Sequence, residues 1–112
     1  MSPLIRLAAE VVALHKAHFG RGPTKAVARY AGHDLVVVAL EDALVPAERM
    51  LLELGEERRV TETRLAFQKA TAGVFVEAAE RVIGRRVRSF TSALDAPMGI
   101  SYELFMFEPR ER

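Results

Sequence analysis

The most constraining stretch of this chain is Leu35-Val36-Val37-Val38-Ala39-Leu40, its longest purely apolar run. The run is short, rich in β-branched residues and bounded by turn-forming Ala31-Gly32-His33-Asp34 and acidic Glu41-Asp42. That composition reads as a strand, because stiff β-branched side chains suit a pleated surface. The run does not alternate with polar residues, so both of its faces meet apolar surroundings. Such a strand lies at the centre of a sheet, or at a sheet whose outer face is covered by another subunit.

The flanking sequence supplies partners. Ser2-Pro3 reads as a helix start, a capping hydroxyl followed by a proline at the first helical position. Leu4, Leu7, Val11 and Leu14 recur at helical spacing as far as Gly20, predicting a helix over 3–19. A short strand is expected over Ala26–Tyr30, pairing with Leu35–Glu41 through the intervening turn. Asp42–Val45 reads as a linker, Pro46–Leu54 as a helix, and Gly55 as its interruption or end. Glu56–Ile83 then reads as a long helix with Val60, Phe67, Thr71, Val74, Ala78 and Val82 near one face, ended by Gly84. Arg86–Leu94 and Ile100–Phe107 make a second pair of strands around Asp95–Gly99. In the last strand Ile100, Tyr102, Leu104 and Met106 point one way, and Phe105 and Phe107 the other.

The order is helix, hairpin, helix, hairpin. It predicts an α+β fold of two helix–β-hairpin halves (αββαββ), with a four-stranded, largely antiparallel sheet and helices on one face. Residues 1–112 read as one domain: a first half over 1–45, a second over 46–108, and a polar tail over 109–112. Gly20-Arg21 precedes the first hairpin and Gly84-Arg85 the second. That shared grammar fits either an old duplication or a recurrent way of leaving a helix. The apolar run, together with Phe105 and Phe107, suggests more hydrophobic surface than one helix layer covers, which points to a homodimer.

With 112 residues, half of them hydrophobic and 28% charged, the chain has globular composition. A net charge of +1 gives no strong pull toward nucleic acid or anionic lipid. The absence of cysteine removes disulfide and thiolate chemistry and fits a cytoplasmic setting. Arg6 and Glu10 break the first apolar stretch, so it does not read as a signal peptide, and no run reaches the roughly 18 residues of a spanning helix. A membrane connection then passes through a protein partner or a surface contact.

Gly20-Arg21-Gly22-Pro23-Thr24-Lys25 is the most distinctive polar stretch. Arg21, Gly22, Thr24 and Lys25 form a candidate ligand-binding turn, with free backbone at the glycines and donors suited to an anion or a nucleotide phosphate. The spacing is not that of a phosphate-binding P-loop, and the turn follows a helix C-terminus, whose dipole disfavours anions. Read structurally, it is a capped turn with solvated charges. His15 and His18 share a helix face, but with His33 they match no metal-binding spacing, and no cofactor is expected. Asp34, Glu41 and Asp42 read as turn carboxylates, and no nucleophile–base motif surrounds Ser89, Thr91, Ser92 or Ser101. Glu53, Glu56, Glu57 and Glu62 offset Arg58-Arg59, and Arg85-Arg86-Arg88 lacks the aromatic interleaving of a single-strand nucleic-acid surface. Catalytic residues are therefore not assigned.

Leu14-His15-Lys16, the stretch Phe19 to Lys25, Asp34 to Val38 and Leu40-Glu41 together resemble the Na+-translocating system MpsC-like family. The resemblance continues at Leu44, Pro46-Ala47-Glu48, Leu51-Leu52, Phe67-Gln68, Gly84-Arg85, Val87, Glu103, Phe105 and Glu108-Pro109. Val45 stands where relatives are expected to carry a capping Thr, and Ala93–Met98 lacks the His associated with that hairpin. The resemblance implies an accessory or regulatory protein associated with a membrane ion-translocating system and leaves its ligand open. With no catalytic constellation in the sequence, the expectation is a non-enzymatic interaction domain with a protein partner at the membrane. The alternative is a small anion-binding protein using the Gly20–Lys25 turn.

Overall fold

The computed structural model describes residues 1–110. Ser2 accepts a hydrogen bond from the Ile5 N–H and opens helix α1, Pro3–Phe19. Gly20 closes it in the left-handed conformation, φ +83°, with its N–H bonded to the Lys16 carbonyl. Leu7, Val11 and His15, four residues apart, form its buried stripe. The chain then makes β1 (Lys25–Tyr30), β2 (Leu35–Glu41), α2 (Pro46–Glu53), α3 (Glu57–Ile83), β3 (Val87–Asp95) and β4 (Ile100–Phe107). Gly55, φ +76°, separates α2 from α3, so the second half carries two helices rather than one. Of the expected tail over 109–112, the last two residues lie outside the described residues.

The strands form one antiparallel sheet in the order β1-β2-β4-β3. The second strands of the two hairpins meet at its centre, with Val36 opposite Phe105 and Val38 opposite Glu103. This explains the unbroken apolar run: Val36, Val38 and Leu40 are fully buried under the helices, while Leu35, Val37 and Ala39 line the other face and are only half-buried. On β4, Phe105 and Phe107 point into the helix-side core. They do not contribute to the outer apolar face, which corrects the expectation drawn from the sequence. That face is built from Leu35, Val37 and Ala39 with Tyr102, Leu104 and Met106.

The face of α3 also differs from the expected one. Its buried residues are Val60, Phe75, Ala78, Ala79 and Val82, whereas Phe67 and Val74 are 39% and 43% exposed. At about 100° per residue, the centre of this buried stripe runs through Arg64. A reading that follows apolar residues alone skips that charged position and drifts toward Phe67 and Val74.

The shared Gly-Arg pairs have equivalent roles. In each half the glycine caps the helix in a left-handed conformation. The arginine then donates to the backbone carbonyl just past its hairpin's second strand: Arg21 to Asp42 at 2.9 Å and Arg85 to Glu108 at 2.9 Å.

Candidate functional site

The turn over residues 20–25 sits at the β1-start, β2-end side of the sheet. Arg21 uses Nη1 on the Asp42 and Leu44 carbonyls, at 2.9 and 2.7 Å, and Nη2 on Asp42 Oδ2 at 2.8 Å. The other carboxylate oxygen of Asp42 accepts from Arg49. These bonds hold Asp42 at φ +55°, a left-handed conformation that few residues other than glycine adopt. The Arg21 hydrogen bond is the leading reason its carboxyl lies below the usual range, and Arg49 adds to it. A Cβ on Gly22 would touch the Val12 side chain at 3.5 Å. The Thr24 N–H donates to the Glu41 carbonyl at 3.1 Å, and the exposed Lys25 ammonium lies 3.6 Å from the Glu41 carboxylate. Of the sequence candidates, Arg21 thus faces inward and clamps the β2–α2 linker, while Thr24 and Lys25 face solvent.

The histidines do not converge. His18 Nδ1–H donates to the Leu14 carbonyl at 2.7 Å, and His33 lies at the opposite end of the first hairpin. Asp34 is at that far end too, paired with Arg85, so it forms no cluster with Glu41 and Asp42. Among the described residues, no group of three or more His, Cys, Asp or Glu is placed to hold a metal ion.

The densest polar chemistry lies elsewhere, around Arg64. Its Nε and Nη2 donate to the two Glu48 carboxylate oxygens at 2.6 and 2.7 Å, and Nη2 also donates to the Ala43 carbonyl at 2.6 Å. Nη1 donates to His15 Nε2 at 2.8 Å, so that nitrogen is the unprotonated one and Nδ1 carries the proton. The guanidinium lies 3.9 Å above the centre of the Phe19 ring. Burial, then the adjacent guanidinium, push the His15 pKa down to about 4, so His15 is neutral at neutral pH. Burial alone would raise Glu48, but the Arg64 hydrogen bonds and the Val45 N–H outweigh it and hold the carboxyl below its usual range. The Val45 N–H to Glu48 bond is 2.9 Å long and supplies the carboxylate half of a capping box, whose hydroxyl half Val45 cannot provide.

Beside this cluster is a cavity of about 160 Å³ between α3, the end of α1 and the β3–β4 hairpin. It exists because the strands carry only the small Ser92 and Ser101 on the face beneath the Arg64–Thr71 part of α3, too little volume to fill the layer. Phe19, Phe67, Phe75 and Phe90 line it. At its floor Glu103, 5% exposed, faces the helix layer and accepts a hydrogen bond from Ser92 Oγ, its neighbour across β3–β4. Burial raises the Glu103 pKa to about 7, with the Ser92 hydrogen bond and the charge of Arg64 pulling in the other direction. Among the described residues, no lysine or arginine forms an ion pair with it.

Glu48 and Glu103 are among the residues that carry the family resemblance, yet composition and spacing assigned them no role. The available signal was Glu103 itself: it stands in phase with Phe105 and Phe107, a charged residue on the buried side of a strand. Arg64 gave no comparable signal, because its partners come from three other segments.

The family model for the Na+-translocating membrane potential-generating system (MpsC) matches residues 5–109, nearly the whole chain. No curated protein and no solved structure matches it. Among the described residues, no helix is long and apolar enough to cross a membrane.

Proposed function

Because the chain belongs to the family of the Na+-translocating membrane potential-generating system (MpsC), we propose that it is a non-enzymatic accessory domain of such a system, acting as a homodimer that engages a protein partner at the membrane. One observation supports this reading. The sheet has helices on one face only, and the centre of the other face is apolar: Leu35, Val37 and Ala39 on β2 beside Tyr102, Leu104 and Met106 on β4. Arg29 on β1 and Ser89 and Thr91 on β3 form a polar edge around it. An apolar centre within a polar rim is the usual anatomy of a protein interface.

Four strands at roughly 4.8 Å spacing and about 25 Å in length present on the order of 500 Å² per protomer. Two copies face to face bury roughly 1,000 Å², the lower bound for a specific interface. Size-exclusion chromatography with light scattering tests the dimer: a dimer at micromolar concentration and above supports the reading, and a monomer throughout that range sinks it. Affinity purification from the native cell tests the second half of the proposal, with subunits of an ion-translocating complex as the expected companions.

A further inference from the structure

The aromatic cavity and its acidic floor have no part in that docking role and stand independently of it. The cavity volume of about 160 Å³ is close to that of engineered protein cavities that hold a benzene ring, about 150 Å³. Its rings come from α1 (Phe19), α3 (Phe67, Phe75) and β3 (Phe90). Phe75 and Phe90 are stacked 5.7 Å apart, and Phe19 and Phe67 lie 5.1 Å apart.

Glu103 determines the chemistry. A buried carboxylate ordinarily has a cationic partner. The charged or titratable groups that face this one are Arg64 from α3 and His15 from α1. Arg64 is committed to Glu48, Ala43 and His15, and His15 is neutral. Ser92 serves one Glu103 oxygen only. A cationic ligand would supply the missing charge, and the ring faces would add to its attraction. An anion would meet the carboxylate, and a pure hydrocarbon would leave it desolvated without a partner. A bare metal ion would find a single carboxylate, with only neutral Ser, Thr and Gln groups beside it in a largely apolar lining.

We propose that this cavity binds a small primary amine with an aromatic body, its ammonium seated on Glu103 and its ring among Phe19, Phe67, Phe75 and Phe90.

The test is an NMR titration of the full chain at pH 8 with benzylamine, with benzyl alcohol and sodium benzoate as matched probes and sodium or potassium chloride as salt controls. Benzylamine is expected to shift the signals of Phe90, Ser92 and Glu103, and to bind about tenfold more tightly than benzyl alcohol, the worth of one charge-assisted hydrogen bond in a shielded site. Glu103→Gln should remove that preference while leaving the weak binding of benzyl alcohol in place, which also reports that the cavity is still formed. Glu103→Asp, which keeps the charge, should retain the preference. In the wild type, amine affinity should fall as pH drops below about 7, where Glu103 takes a proton. Equal binding of amine and alcohol, unchanged amine affinity in Glu103→Gln, shifts produced by sodium but not potassium without any response to benzylamine, or no response to any probe would each overturn the assignment.

Discussion

Arg64 connects four segments through one side chain: α1 by His15, the β2–α2 linker by Ala43, α2 by Glu48, and its own helix. Its removal leaves the Glu48 carboxylate buried without its cation, and that loss dominates over the lost attraction itself. Arg64→Met is therefore expected to cost roughly 3 to 5 kcal/mol in urea denaturation. Arg64→Met combined with Glu48→Leu should regain much of that loss, because the desolvated charge goes with its partner. A single variant within about 1 kcal/mol of wild type would show that the cluster does not organise the fold. Two of the shifted groups in and beside this cluster, Glu103 and His15, act on stability in opposite directions. Glu103 is raised from 4.5 to about 7, so its contribution is complete below 4.5 and is lost as pH rises through 7. His15 is lowered from 6.5 to about 4, so its contribution is complete above 6.5 and is lost as pH falls through 4. Between 4.5 and 6.5 the two slopes oppose each other, and wild-type stability should be nearly flat there. Glu103→Gln removes one slope. Its stability should climb across that interval by about 1.4 kcal/mol per pH unit, and at pH 8 it should exceed wild type by up to about 3 kcal/mol. Parallel curves for the two proteins would show that Glu103 does not hold its proton in this range.

The secondary-structure elements were largely legible in the sequence because each is signalled locally. Ser2-Pro3 opens α1, Gly20 and Gly84 close helices in left-handed conformations, and the non-alternating run places β2 inside the sheet. Strand order was not legible, since pairing β2 with β4 depends on contacts between residues far apart in sequence, such as Val36 and Phe105. The register of α3 was misread for a related reason: Arg64 counts as polar in any pattern, but its charge is satisfied inside. The corrected register has a direct consequence for neighbouring residues. Phe75 is 6% exposed and stacks on Phe90 of β3, whereas Val74 is 43% exposed. Phe75→Ala should cost about 3 to 4 kcal/mol, and Val74→Ala should stay within about 0.5 kcal/mol, both read from urea midpoints. Similar costs at the two positions would contradict this helix orientation. The paired Gly-Arg junctions were visible as a repeated dipeptide. Their common function, an arginine reaching the carbonyl beyond its own hairpin, required the tertiary fold.

For the molecule as a whole, the sheet is asymmetric in a way that makes its own test. The helix side holds the fully buried residues, so the outer side can be altered with little effect on folding. Leu104 and Val37 lie side by side at the centre of that outer side, in the row that runs from Arg29 on β1 to Thr91 on β3. In a dimer with two-fold symmetry each outer face meets its own copy, so one substitution enters the interface twice. Leu104→Lys brings two ammonium groups into an apolar contact, where neither finds a carboxylate. The expected outcome by light scattering is a monomer across the concentration range in which the wild type is dimeric, with circular dichroism unchanged. Leu54→Lys and Met98→Lys are the appropriate controls: both residues are large, apolar and highly exposed, but neither belongs to the sheet. They should leave the dimer intact. Dissociation caused by either control, or a Leu104→Lys protein that still dimerises, would move the interface away from the sheet. In that case the half-buried outer face is simply the unshielded side of a two-layer fold, and the proposed docking surface has to be sought on the helices.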